Sequence, residues 1–508
     1  MIAAPDCSRS SAPLLPAQTL YLWSAASDGG ASYWWSAVDD QGRECERGYQ
    51  TLTAGGVAPA SVQSLLDQLS GCVACICHSA RQTLRPLLER LGLPPIAHWP
   101  RTVIDTEALS RAAFPGRQSY RLQELMPSAA DPLDRLRRLY VACRERLPEA
   151  EIRTAAATAA LESLSFTVRP SELPAVRQEL SRRRPPAGVS LADVGSDRRV
   201  RQWVGWLSHN PQLPLDLRYW VGRTGRWGGY NDRTGRPDLY ALPRHDHPLA
   251  DPLRRAIALP EGLTFVTVDL KGFGARALSY LSNCRPVIDL LDRHPLADLY
   301  HEVASRLGIG GDRSEYKREV LSLFNGGESR YRQAFDQLLP ALPAFRADLY
   351  QLLIDQATQP TTATQVGALT VRSVGAGEVV LQTDSGRPGV SIQGLQLSGR
   401  LYHIDRHTRQ WLRPSQPPAW AVMNLERTIV ADLIEVLIAD GWSWVYPHHD
   451  SVSLIVPDLP DVVERARASL THYLGPDRSI HAFRWPRSLA VIDPSDIITH
   501  NTLCEEQR

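Results

Sequence analysis

Residues 264–282 read TFVTVDLKGFGARALSYLS. The apolar, β-branched run up to Val268 has strand character, Asp269 closes it, and a glycine-rich turn follows. A second segment of the same kind lies at residues 442–457, WSWVYPHHDSVSLIVP, where Asp450 sits between two strand-like runs. Two carboxylates carried by rigid strands far apart in sequence suit a pair of divalent ions about 4 Å apart, the arrangement that activates an attacking hydroxyl and neutralises a leaving pyrophosphate. A lone Asp at a strand end is more often a turn or cap residue, so the chain between the two decides the matter.

That intervening chain contains DRSEYKREVLSLFNGG at residues 312–327, where Arg313 and Lys317 stand four apart and share one face of a helix. Like charges so placed repel unless they meet an anion, and a triphosphate fits. A solvated helix face bracketed by Glu315 and Glu319 is the competing reading. Upstream, RTGRWGGYNDRTGRPDLYALP at residues 223–243 mixes arginines, Arg223 and Arg226 first, with glycines and aromatics, a composition that allows close backbone approach to phosphates and sugars.

Composition narrows the classes. A chain of 508 residues is too long for one core, and 43% hydrophobic residues exclude wholesale disorder. There is no apolar run of about 18 residues, and the opening MIAAPDCSRSSAP has no basic stretch followed by an apolar one, so neither membrane spanning nor secretion is expected. The 8 cysteines are thinly spread, which points to a reducing, cytoplasmic compartment. Of the 56 basic residues only Lys271 and Lys317 are lysine, and both fall inside motifs found on other grounds. Residues 177–255 hold 15 arginines against 8 acids, a surplus suited to a polyanion.

Residues 19–145 alternate strand and helix: a hairpin from TLYLWSAAS and ASYWWSAVDD, a helix from ASVQSLLDQL, the short apolar run GCVACIC, a helix from RQTLRPLLERLG, then strand into helix through TVIDTEALSRAAF. The expected fold class is mixed α/β and α+β, in several domains. RRRPPAGVS at 182–190 reads as a linker, and residues 366–403, rich in Val, Thr and Gly, as a β-rich excursion between helices.

Taken in order, these segments resemble family A DNA polymerases, the bacterial polymerase I and phage-type group, over roughly residues 215–508. RTGRWGG…DLYALP resembles the family's TGR motif, and VDLKGFGARALSYLS its first palm motif, with Asp269 at the metal-binding aspartate and Arg276 at the motif arginine. DRSEYKREVLSLFNGG looks like the fingers helix, with Arg313 and Lys317 at the triphosphate contacts. LSGRLYHID, with Arg400, is similar to a segment of phage-type members. LERTIVADLIEVLIAD and the strand pair after it resemble the last motif, with His449 and Asp450 at its His-Asp. The resemblance implies a right-hand polymerase of thumb, palm and fingers: thumb-like region and linker at 151–215, palm and fingers at 216–508. It also implies two Mg²⁺ ions, or Mn²⁺, on Asp269 and Asp450, a DNA primer-template with RNA as an alternative, and nucleoside triphosphates. Arg223, Arg226, Arg276, His449 and Arg400 are then expected on the nucleic acid, and Arg313, Lys317, Leu321, Asn325 and Gly274 around the nucleotide.

The sequence also departs from that pattern. Gly274 replaces the glutamate that blocks a 2′-hydroxyl, and Lys271 replaces a serine. Leu321 and Asn325 stand where the fingers helix carries aromatic residues, and Ser451 where DNA polymerases carry Glu. Gly274 and the His-Asp-Ser triplet are similar to single-subunit phage-type RNA polymerases. The steric wall against ribonucleotides is therefore expected to be missing, unless Lys271 or Phe273 fills the gap.

Residues 1–150 faintly resemble the RNase H-like 3′–5′ exonuclease domain that precedes such polymerases. The acids of its first motif are replaced by YLWSA, and Ser79 stands at the second. Asp105 survives, though the family does not use it as a ligand, and Asp131 or Asp134 alone would not hold two ions. A structural remnant is expected. Cys72, Cys75, Cys77 and His78 form a possible zinc string, but alternating apolar neighbours favour a buried strand. Trp34 and Trp35 read as core or strand residues rather than a base-stacking platform. Two function classes remain open: a nucleotidyltransferase, making DNA, RNA or both, and a non-catalytic nucleic-acid-binding protein that keeps the polymerase shape.

Overall fold

The computed structural model describes residues 19–27, 30–39, 41, 43–53, 60–95, 99–100, 102–114, 119–182, 200–215, 217–221, 224, 226–229, 249–358, 362–375, 378–392, 395–397, 401–404, 409–479 and 481–502. Near the N-terminus, strands Thr19–Ser27, Gly30–Val38 and Glu44–Thr53 form an antiparallel meander. Ala74–Cys77 and Val103–Asp105 extend it in parallel from the first strand, so the meander's last strand and Val103–Asp105 are the two edges. Alternation along the first strand sends Leu20 and Leu22 to one face, where they pack with Leu84, Leu87 and Leu88 of the helix Ala80–Arg90, and Tyr21 to the other, against the side of Leu136 and Leu139. Cys75 and Cys77 face the first cluster, fully buried, with Cys72 beside them. Burial pushes the Cys72 thiol up, and a raised thiol is a poor metal ligand. Trp35 is buried in the same cluster, while Trp34 lies half-buried between Trp23 and Tyr49.

A second antiparallel sheet, in the order Val445–His448, Ser451–Pro457, Leu263–Asp269 and Ile498–His500, lies in the C-terminal half. The helix Phe273–Leu281 and the 24-residue helix Gln416–Ala439 pack against each other beside it. Between them in sequence come helices Leu299–Leu307, Arg313–Phe324, Arg332–Leu338 and Ala341–Thr358. Strands from Thr364 to Trp411 then form two small antiparallel sheets, beginning and ending outside the 366–403 window read from the sequence. The first is anchored at Gly367, where φ is +57° and a Cβ would lie 1.9 Å from the carbonyl oxygen of Leu281, so only glycine fits there.

A buried ionic network joins distant parts of the chain. Glu151, on the helix Glu149–Ala160, accepts from Arg427 Nη1 at 2.6 Å and from Arg387 Nη1 at 2.8 Å, and also from the Tyr219 hydroxyl. Arg387 Nε reaches Asp432 at 2.6 Å, and Trp485 Nε1 donates to the same carboxylate at 2.7 Å. Burial alone would raise the Glu151 pKa, but the two guanidiniums hold it at about 2. No helix among the described residues is long and apolar enough to cross a membrane.

Candidate active site

Strand pairing brings the two aspartates together. In register, Asp269 stands opposite Ser451, and the Leu270 N–H donates to the Asp450 carbonyl at 2.9 Å, so the two aspartates are neighbours at one end of the sheet's central strand pair. Asp269 is exposed and Asp450 half-buried. Ser451 is buried and donates to the His448 carbonyl at 2.7 Å, so the position adds no charge. His449 and Asp450 make the turn, and His449 takes φ +56°, a left-handed conformation costly for a non-glycine residue. Crowding by surrounding protein, then the charge of Arg226, push the His449 imidazole down to about 4. It is therefore neutral at pH 7.

Arg226 begins the strand Arg226–Gly229, which pairs with Leu217–Val221. Its Nη2 donates to Glu426, a buried residue of the long helix, and Asn424, two residues earlier on that helix, ties the same loop by donating to the Thr224 carbonyl at 3.1 Å. Burial, then repulsion from Asp450 working against the attraction of Arg226, leaves the Glu426 carboxyl raised to about 7. Sequence reasoning did not single out Glu426, although an isolated acid within an apolar helical run was a usable signal.

Gly272, at φ +58°, opens the helix Phe273–Leu281, and a Cβ there would lie 3.7 Å from Cε2 of Tyr300. A Cβ at Gly274 would meet nothing within 4 Å. Of the two residues weighed as fillers, Phe273 is in the core at 1% exposure, and Lys271 pairs with Asp493 at 3.8 Å. Arg276 corrects an expectation. It was assigned to the nucleic acid, but it is 1% exposed, with Nη2 donating to the carbonyls of Pro295 at 2.6 Å and Ala297 at 3.2 Å and Nη1 to Ser488 at 3.3 Å. The helix face that carries it packs inward, and three carbonyl dipoles replace the water it gives up; desolvation lowers its pKa to about 10. Arg276 ties the turn before the helix Leu299–Leu307 to the segment at Ser488.

The helix Arg313–Phe324 begins with a capping box between Asp312 and Glu315. Glu319 is engaged by Ser329. The two acids that bracket the cations in sequence thus have other tasks. Arg313 and Lys317 are both exposed; Arg313 Nε is 2.9 Å from Asp298, and the Lys317 ammonium lies 5.8 Å from the centre of the Tyr300 ring. Leu321 is half-buried, and Asn325, exposed at the helix end, donates back to the Leu321 carbonyl at 2.9 Å. Arg223 and Arg400 lie outside the described residues. Asp298 and Tyr300 were also missed, though an Asp just before an apolar helical run is a recognisable cap signal.

This architecture is the family A polymerase fold. Over 96% of its length the chain matches 96% of the POL domain of Pol1 from M. smegmatis, solved in complex with DNA primer-template and dNTP, with a TM-score of 0.60 and 13% sequence identity. No family model matches the sequence, and no curated protein does.

Proposed function

We propose that this chain is a template-directed nucleotidyltransferase of DNA polymerase type that extends a primer with nucleoside triphosphates. The observation that carries this reading is the register that sets Asp269 beside Asp450 in a fold that also packs the Arg313–Phe324 helix near the Phe273–Leu281 helix. Two carboxylates suit Mg²⁺ or Mn²⁺, since Mg²⁺ is ordinarily held by one or two carboxylates and completes its shell with water and substrate phosphate. No group of three or more potential ligands occurs among the described residues, which leaves those remaining positions to substrate and water. Asp269 and Asp450 would hold two such ions, which supply activation of a primer 3′-hydroxyl and neutralisation of pyrophosphate.

The chain's own residues do the rest. Arg313 and Lys317 bind the polyphosphate and take up the charge that grows on it. Arg226, held by Glu426, faces the primer-template beside the carboxylates, with Arg223 and Arg400 as further contacts. His449 adds no positive charge near neutral pH to compete with the metal. On this reading residues 151–215 are thumb-like, 216–508 are palm and fingers, and 1–150 are an RNase H-like domain without exonuclease chemistry, supported by its three-antiparallel, two-parallel sheet. The open space at Gly274 favours relaxed sugar selectivity, with ribonucleotides as co-substrates. Primer extension on DNA and RNA templates with separate dNTP and rNTP pools tests the reading. Duplex binding without any extension would select the non-catalytic alternative.

A further inference from the structure

Arg313 and Lys317 of the Arg313–Phe324 helix both meet one short stretch of a neighbouring helix. Asp298 is the N-cap of Leu299–Leu307, its Oδ1 accepting from the backbone N–H of Tyr300 at 3.1 Å and of His301 at 3.3 Å. That cap fixes the carboxylate, and the other oxygen accepts from Arg313 Nε at 2.9 Å. The contact is made through Nε alone. Among the described residues the two Nη groups of Arg313 have no partner, and the side chain is 61% exposed. A guanidinium gripped at Nε keeps its planar fork of Nη donors for a bidentate anion. Two residues along, Tyr300 is 6% exposed, its ring lies beneath the Lys317 ammonium, and its hydroxyl has no hydrogen-bond partner among the described residues.

Building on the nucleotidyltransferase reading, we propose that Asp298 is a positioning residue that presets Arg313 for the polyphosphate of an incoming nucleotide, while the Tyr300 ring presets Lys317. Burial would raise the Asp298 carboxyl, but the His301 N–H and the Arg313 side chain hold it below the usual range, so it stays charged at working pH. A carboxylate this close also repels a triphosphate. Orientation and repulsion therefore make opposite predictions for Asp298→Asn, which keeps the cap, because Asn caps as well as Asp, and removes the charge that grips Arg313.

The test measures binding of a non-hydrolysable deoxynucleoside triphosphate to the full chain with primer-template, alongside steady-state extension. Asp298→Asn should leave Tm unchanged, weaken analogue binding about tenfold and raise KM by a similar factor while kcat moves less, the pattern of lost ground-state positioning. Tyr300→Leu should weaken binding, because the aromatic ring meets Lys317. Equal or tighter binding by Asp298→Asn, with the wild type binding and extending normally, overturns this proposal alone. A wild-type chain that binds no triphosphate overturns both it and the nucleotidyltransferase reading.

Discussion

Glu151 and Arg427, 276 residues apart in sequence, form an ion pair in which neither side chain is exposed to solvent. Such a pair adds little net stability over an apolar substitute, but losing one partner strands the other charge in the core. Glu151→Ala should therefore cost about 3–5 kcal/mol in denaturant unfolding. Glu151→Gln, which keeps the shape, should still be strongly destabilised because Arg427 loses its counter-charge. The pH dependence has a definite sign. With a folded pKa of about 2 against an ordinary carboxylate value of 4.5, the Glu151 contribution is complete above pH about 4.5 and is lost as pH falls toward 2. The acid limb of the stability curve should flatten in Glu151→Gln; an unchanged limb would show that the pair is not formed in solution.

Asp269→Ala and Asp450→Ala should each abolish nucleotide addition while leaving Tm and duplex binding close to wild type, because on the proposed two-metal reading each removes a ligand, from an exposed strand end at Asp269 and a half-buried turn at Asp450. Wild-type extension by either variant would refute the two-metal assignment.

At Gly274 the helix has room that a larger side chain would occupy. Wild-type incorporation of ribonucleotides should fall within about 100-fold of deoxyribonucleotides, since selectivity built on sterics is lost with the steric group. Gly274→Glu should restore preference for dNTPs. Single-nucleotide kinetics on one primer-template measure it, and thousandfold discrimination insensitive to this position would refute the idea.

The N-terminal sheet should shorten no primer. Its surviving acids are committed elsewhere: Asp105 accepts from the backbone N–H of Ser79, Ala80 and Glu107, and Asp131 caps its helix and pairs with Arg47. No metal-dependent loss of nucleotides from a labelled, mismatched 3′ end should be seen in Asp269→Ala, the background that isolates this activity from pyrophosphorolysis. Loss that persists there would mean that another ligand set exists.

Much of this molecule was legible along the chain because the informative signals are local. The short β-branched apolar runs TFVTVD and SVSLIVP, the 3.6 period of LERTIVADLIEVLIAD and the four-residue spacing of Arg313 and Lys317 each depend on neighbours within one element. The N-terminal hairpin, its helices and the strand at Val103–Asp105 were readable for the same reason. The strand Glu44–Thr53 was not, since the mixed polar sequence of an edge strand lacks a strong period.

What the sequence by itself determined was the identity of the elements and the residue types at their ends: two aspartates closing strands, two lysines among 54 arginines, a glycine at 274. Which partners those side chains meet within the fold was decided only by the tertiary structure. Arg276 stands in a motif beside Asp269, yet the packing of its helix turns it to three carbonyls, whereas Asp298 and Glu426, neither given a role by the sequence reading, reach Arg313 and Arg226. The physical reason is that periodicity fixes the face of an element on which a residue sits, while burial, charge and partnership depend on what another element, often hundreds of residues away, brings against that face.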